Sequence, residues 1–244
     1  MRLDPLVSPP SEGRTYSASR RIRLADRDAR GRLRLDAIAR YLQDVATDDV
    51  DETGWGAPDH LWVVRSMRID VVVPPLDDDW VELVTWCSGT GAVAAGRRLS
   101  LIGDRGGCVE ADSVWIHLAP DARPQRIERF GIYAESAQGR VVTTRLDLTG
   151  PGGDVARERW PLRVSDLDLM EHVNNAAYWQ AVEECLARAG TDLGAPLRAR
   201  LDYRHPIDLG EDVGLGVEAA DGRLVVAFDV EGEVKAIAHI EPLP

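Results

Sequence analysis

Asp168 and His172 stand four residues apart in the string Arg163-Val164-Ser165-Asp166-Leu167-Asp168-Leu169-Met170-Glu171-His172-Val173-Asn174-Asn175-Ala176-Ala177-Tyr178, just ahead of a helix-patterned run. A carboxylate and an imidazole are the side chains best suited to moving protons near neutral pH. The first turn of a helix adds unpaired backbone N–H groups and the positive end of its dipole. Such a junction can stabilise charge developing on a carbonyl oxygen while a neighbouring group activates water or attacks directly. Each residue also has a plainer use. Asp168 can cap the turn that follows it, and His172 can bind a backbone carbonyl. Asn174 and Asn175 can serve as helix N-caps, or orient a water or a substrate carbonyl.

The elements that must hold this junction follow from the hydrophobic periods. Apolar residues at Leu35, Ile38, Ala39, Leu42, Val45 and Ala46 predict an amphipathic helix over 35–50, and 176–189 carries a second helical pattern. Tyr16 to Ala25 alternates as a strand. Four further strand-like runs, 61–73, 80–88, 95–103 and 108–118, are separated by Pro74-Pro75, Gly89 to Gly91 and Asp104 to Gly107. One long helix followed by four antiparallel strands is the pattern of a helix wrapped by a curved sheet. After Pro120 the texture loosens, with one candidate strand at 140–148, and the runs 224–230 and 233–241 close the chain.

The first half then repeats. Arg23 to Ala46 aligns without a gap on Arg163 to Leu186, setting Asp26 on Asp166, Asp28 on Asp168, Arg32 on His172 and Ala37 on Ala177. Arg68 to Leu83 aligns on Arg200 to Leu215, setting Asp70 on Asp202 and Pro74 on Pro206. Two windows in the same order, each keeping its element type, point to a duplication. The expected organisation is an α+β chain: a flexible lead-in over 1–15, a first unit over 16–135, a linker over 136–156 and a second unit over 157–244.

The 244 residues carry a net charge of −12, which argues against a nucleic-acid-coating surface. With no signal-peptide pattern and no spanning segment, the expectation is a cytoplasmic protein without a membrane partner. Cys87, Cys108 and Cys185 have no paired-ligand spacing, so neither a disulfide framework nor a metal site is expected, and no cofactor is implied. Lys235 is the one lysine; the basic charge is arginine, much of it between Arg20 and Arg40. That run reads either as a solvated face paired with Asp26, Asp28 and Asp36 or as a local patch for phosphate or carboxylate groups.

The chain resembles the acyl-acyl carrier protein thioesterases of plants and bacteria, which are tandem double hotdog proteins. The likeness rests on Ser165 to Asp168 followed by His172 to Tyr178. In the first half it rests on Leu61 to Val64 with Met67, on Thr85-Trp86, and on Asp112 to Trp115. It implies hydrolysis of a fatty acyl thioester carried by acyl carrier protein or coenzyme A, with the first hotdog unit shaping the acyl pocket. It also implies an essential Asp, Asn and His in a D-x-N-x-H string and a Glu on a later strand. Those slots fall on Asp168, Met170, His172 and Pro206, so the Asn and the Glu are replaced; Asp202 and Asp208 share the strand parity of Pro206. The alternatives to hydrolysis are a non-catalytic acyl-thioester binder and an enoyl-thioester hydratase. A double hotdog holds its pseudo-dimer in one chain, so a monomer or a homodimer is compatible. Trp62, Trp86 and Trp115 are expected in the core.

Overall fold

The structure is a computed structural model that describes residues 6–54, 61–76, 78–153 and 155–243. Residues 1–5 of the expected lead-in, Asp154 of the expected linker and Pro244 lie outside the described residues. Among the described residues ten strands and three helices form in chain order: β1 Thr15–Arg21, α1 Leu35–Thr53, β2 Leu61–Val73, β3 Trp80–Thr90, β4 Ala94–Gly103, β5 Cys108–Leu118, α2 Tyr133–Ala137, β6 Arg157–Trp160, α3 Asn175–Arg188, β7 Leu197–Tyr203, β8 Val213–Ala220, β9 Arg223–Val230 and β10 Glu233–Pro242. All the strands join one sheet in the order β1-β3-β4-β5-β2-β7-β10-β9-β8-β6. The order reads the same from either end once each strand is replaced by its counterpart in the other half. The midpoint is the antiparallel β2–β7 pair, where Arg68 lies opposite Arg200, its own repeat.

The repeat persists in the backbone bonds. Asp26 accepts the Arg23 N–H at 3.0 Å and Asp166 accepts the Arg163 N–H at 2.8 Å, closing a single 3-10 turn in each half, Leu24–Asp26 and Val164–Asp166. Leu33 N–H bonds Pro75 O and Val173 N–H bonds Ile207 O. Those acid-capped turns explain why β1 stops at Arg21 rather than running to Ala25, and why Val164 to Asp166 is a turn rather than strand. The expected strand at 140–148 forms only a bridge, Val141 with Thr90. This segment instead straps the outer face of the sheet, with Asp147 N–H on Asp202 and Thr149 O accepting from His239. The strap lies so close that a Cβ at Gly96 would sit 2.6 Å from Val142, so only glycine fits there.

Burial explains the helix positions. α3 buries Ala176, Ala177, Tyr178, Trp179, Ala181, Val182, Cys185 and Leu186, most of its circumference. Tyr178 packs against Trp160, Tyr203 and Phe228 with ring centroids 5.0–5.7 Å apart. Each such ring contributes about 1.5–3 kcal/mol by leaving water. Trp86 is buried as expected, whereas Trp62 and Trp115 line a cavity.

Several carboxylates are buried against arginines. Burial works against ionisation of Asp36, but hydrogen bonds from Arg34 and Arg40 outweigh it and hold the carboxyl below its usual range. Asp70 is likewise held low, its burial outweighed by Arg198 and Arg68. The unfolded chain binds more protons than the native state in the acid range, so these groups stabilise the fold at neutral pH and lose that contribution as pH falls through their folded values. We expect the urea midpoint to drop steadily below about pH 4, where free carboxyls begin to titrate. Asp70→Asn should flatten that slope; an unchanged acid slope would contradict it.

Candidate functional site

The site grows from the turn that launches α3. Asp168 Oδ1 accepts the N–H of Met170 at 2.8 Å and of His172 at 3.3 Å, while Asp168 N–H bonds His172 O at 2.9 Å. The carboxylate therefore pins the loop that carries the imidazole. Asn174 caps the helix, its Oδ1 accepting Ala176 N–H at 2.9 Å. Asn175 opens the helix, its carbonyl held by the Tyr203 hydroxyl at 3.0 Å. Its side-chain Oδ1 is buried without a hydrogen-bond partner among the described residues. A buried amide oxygen left unpaired costs about 1–3 kcal/mol and marks a place where a ligand group can enter.

His172 Nδ1 lies 2.5 Å from Asp208 Oδ1. The partnership follows from a backbone bridge between His172 and Asp208, which the Val173–Ile207 bond sets in register. A carboxylate at Nδ1 can accept from the tautomer protonated there, in which Nε2 is the nitrogen that carries the lone pair. The acid thus sits two residues beyond Pro206, one of the two positions that shared its parity. The other, Asp202, is fully buried and committed to Arg200. Met170, in the expected Asn slot, supplies a backbone N–H to Asp168.

The duplicated half keeps the same turn with an arginine in the histidine position. Asp28 Oδ1 accepts the N–H of Arg30 and of Arg32, as Asp168 does for Met170 and His172. Arg32 occupies the histidine position and is buried, its guanidinium held by Asp28 at 3.1 Å and by Glu183 of α3. The second Glu183 oxygen accepts Leu35 N–H, the first amide of α1, at 2.9 Å. Burial pushes the Glu183 carboxyl up while Arg32 pulls it back. At the start of α3 the matching amide, Asn175 N–H, has no acceptor among the described residues, and the residue matching Glu183 is the neutral Gln43. The turns differ in strain too: Gly31 takes a left-handed φ of 86°, and its counterpart Glu171 takes 63° with a side chain. Strain of this kind collects at functional sites.

Beside Gln43 lies a cavity of about 320 Å³ in the first half, between α1 and the inner face of β2 to β5. Trp62, Trp115, Phe130 and Tyr133 form much of its wall and Arg97 projects into it. The thiols are not candidates for a nucleophile: burial pushes Cys87 and Cys108 up, and Cys185 up to about 11.

Both halves match domains of one known family. The acyl-ACP thioesterase N-terminal domain matches residues 13–130 and the C-terminal domain of the same family matches residues 152–238. The chain belongs to the acyl-ACP thioesterase family. An uncharacterised protein of Mycobacterium tuberculosis is 34% identical over 244 residues, 98% of this chain and 96% of that one. The oleoyl-acyl carrier protein thioesterase 2 of Arabidopsis thaliana is 26% identical over 196 residues, 70% of this chain and 53% of the plant protein. An acyl-ACP thioesterase structure from Bacteroides thetaiotaomicron covers 93% of this chain and 97% of its own, with a TM-score of 0.79 at 15% identity. That likeness is one of fold, and the fold of this thioesterase-family chain is the tandem hotdog. Among its described residues no helix is long and apolar enough to cross a membrane.

Proposed function

We propose that this chain hydrolyses fatty acyl thioesters of the pantetheine arm common to acyl carrier protein and coenzyme A, with the second half catalytic and the first half holding the acyl chain. The observation that carries the proposal is the unpaired Asn175 N–H at the start of α3. In the other half the matching amide holds a carboxylate oxygen, so this backbone geometry binds an anionic oxygen. At α3 the same place is free for the thioester oxygen as it gains charge.

His172 Nε2 then takes a proton from water as the water oxygen adds to the carbonyl carbon. Collapse of the tetrahedral species breaks the carbon–sulfur bond, and the imidazolium returns its proton to the departing thiolate. Asp208 holds the ring in the tautomer this requires, and the Asp168 carboxylate holds the loop that carries the ring. Gln43, the two-fold counterpart of Glu183, lines the cavity, and Glu183 itself reaches the first amide of α1 in the other half; by that symmetry the acyl chain lies in the first half with its thioester at the start of α3. Most arginines between Arg20 and Arg40 are paired with carboxylates, so the exposed Arg21, Arg23 and Arg30 are the groups of that run left to meet phosphate or an acidic carrier on an otherwise acidic protein.

The test is release of free thiol from acyl-coenzyme A and acyl-acyl carrier protein of several chain lengths. Saturable binding without thiol release on either carrier would establish a binder instead. Asp208→Asn should lower kcat more than it raises KM, since it disturbs the base rather than the acyl contacts; an unchanged kcat would remove Asp208 from the mechanism.

A further inference from the structure

The cavity in the first half has aromatic walls but a cationic floor. Arg97 lies on the inner face of β4, 14% exposed at its side chain, with its guanidinium 5.6 Å from the Tyr133 ring centroid. Its Nη1 bonds Asp49 at 2.7 Å and Thr85 Oγ1 at 3.3 Å. A guanidinium carries five N–H donors; Asp49, Thr85 and a bond to the Tyr133 hydroxyl take three of them, which leaves two on a residue that lines the cavity. Asp49 is fully buried and is shared with Arg14 at 2.6 Å, so the anion facing Arg97 is already engaged twice. Asp51, at the exposed edge of the same cavity, adds a negative charge where a ligand would enter. A plain hydrocarbon chain would displace water from these donors and return nothing to them, which carries a desolvation cost. A carboxylate would meet Asp51 on the way in and Asp49 at the end.

We propose that the cavity selects acyl groups bearing a neutral oxygen, a hydroxyl or a keto group, far from the thioester, and that Arg97 reads that oxygen. The proposal rests on the reading of this cavity as the acyl chamber. A volume of about 320 Å³ suits a chain of modest length with one such group. A site built to hydrogen-bond an oxygen rejects the analogue without it far more strongly than an apolar pocket rejects an added one.

Binding of the free acids separates this proposal from hydrolysis. Tryptophan fluorescence, with Trp62 and Trp115 in the cavity wall, reports titrations with decanoate, 10-hydroxydecanoate and the ten-carbon dicarboxylate. The native chain should bind 10-hydroxydecanoate about tenfold more tightly than decanoate, the worth of one well-placed hydrogen bond. Arg97→Met should erase that preference and leave decanoate bound as well or better. Arg97→Lys keeps a cation on Asp49 while removing the planar fork, so it should lower the preference with the fold intact. Equal binding of the two monoacids by the native chain would overturn the proposal. So would a preference that survives both variants, or a dicarboxylate that binds most tightly. Thiol release measured in parallel judges the hydrolytic reading on its own: its loss with the hydroxyl preference intact would leave the chamber assigned and the reaction not.

Discussion

Replacing His172 with alanine should lower thiol release on the order of a hundredfold, within the range lost with a general base, while leaving the urea midpoint nearly unchanged. The imidazole is about a third exposed and its structural bonds run through the backbone, so little packing depends on the ring. Asp168→Asn is the sharper companion. Asparagine keeps an oxygen for the Met170 and His172 N–H groups, and the turn should survive. A drop of at least about tenfold would then report a part for the carboxylate's charge in the reaction beyond holding the turn. Thiol release at the native rate in both variants would remove this junction from the reaction.

Replacing Glu183 with alanine should cost stability instead, about 3–5 kcal/mol, the usual penalty for stranding one partner of a buried pair. Arg32 is 4% exposed at its side chain and would keep its charge with only Asp28 beside it, and Leu35 N–H would lose its acceptor. Glu183→Gln keeps a bond to that amide and should lose less. Replacing Glu183 by leucine together with Arg32 by methionine should recover much of the loss, because two desolvated charges leave together. Urea unfolding with an unchanged slope gives the comparison. An alanine variant as stable as the native chain would show that the closed helix start in the first half carries no energetic weight.

Much of the fold was legible because both halves keep the same local chemistry. The acid three residues past Arg23 and past Arg163 closes the same turn, and the helix stripe from Leu35 to Ala46 is a strong periodic signal. The strand expected at 140–148 failed because its alternation serves a strap pressed on the outer face of the sheet, where Val142 fills the space beside Gly89, Gly91 and Gly96. The short helix α2 went unread for a related reason: five residues hold too little pattern, and Tyr133 is fixed by its long-range bond to the Asp49 carbonyl. In the candidate site, spacing and resemblance single out Asp168 and His172, and the structure places both in one hydrogen-bonded turn. Asp208 could only be shortlisted by parity, since choosing it over Asp202 required knowing that a bridge between two loops sets the register. Asn174 took its plainer use as the cap. The unpaired Asn175 amide could be recognised only by seeing what its twin, Leu35, holds.

The central ladder, where Arg68 faces Arg200, has a consequence for how this protein can change. Two identical chains meeting on a symmetry axis receive every mutation twice, so neither active centre can be surrendered without the other. Once fused, the two copies accept substitutions singly. Here one helix start carries an arginine held by Glu183 and the other a histidine held by Asp208, and under the proposed assignment the closed half holds the acyl chain while the other half turns it over. Dilution, which separates the members of a dimer, leaves such a division of labour intact.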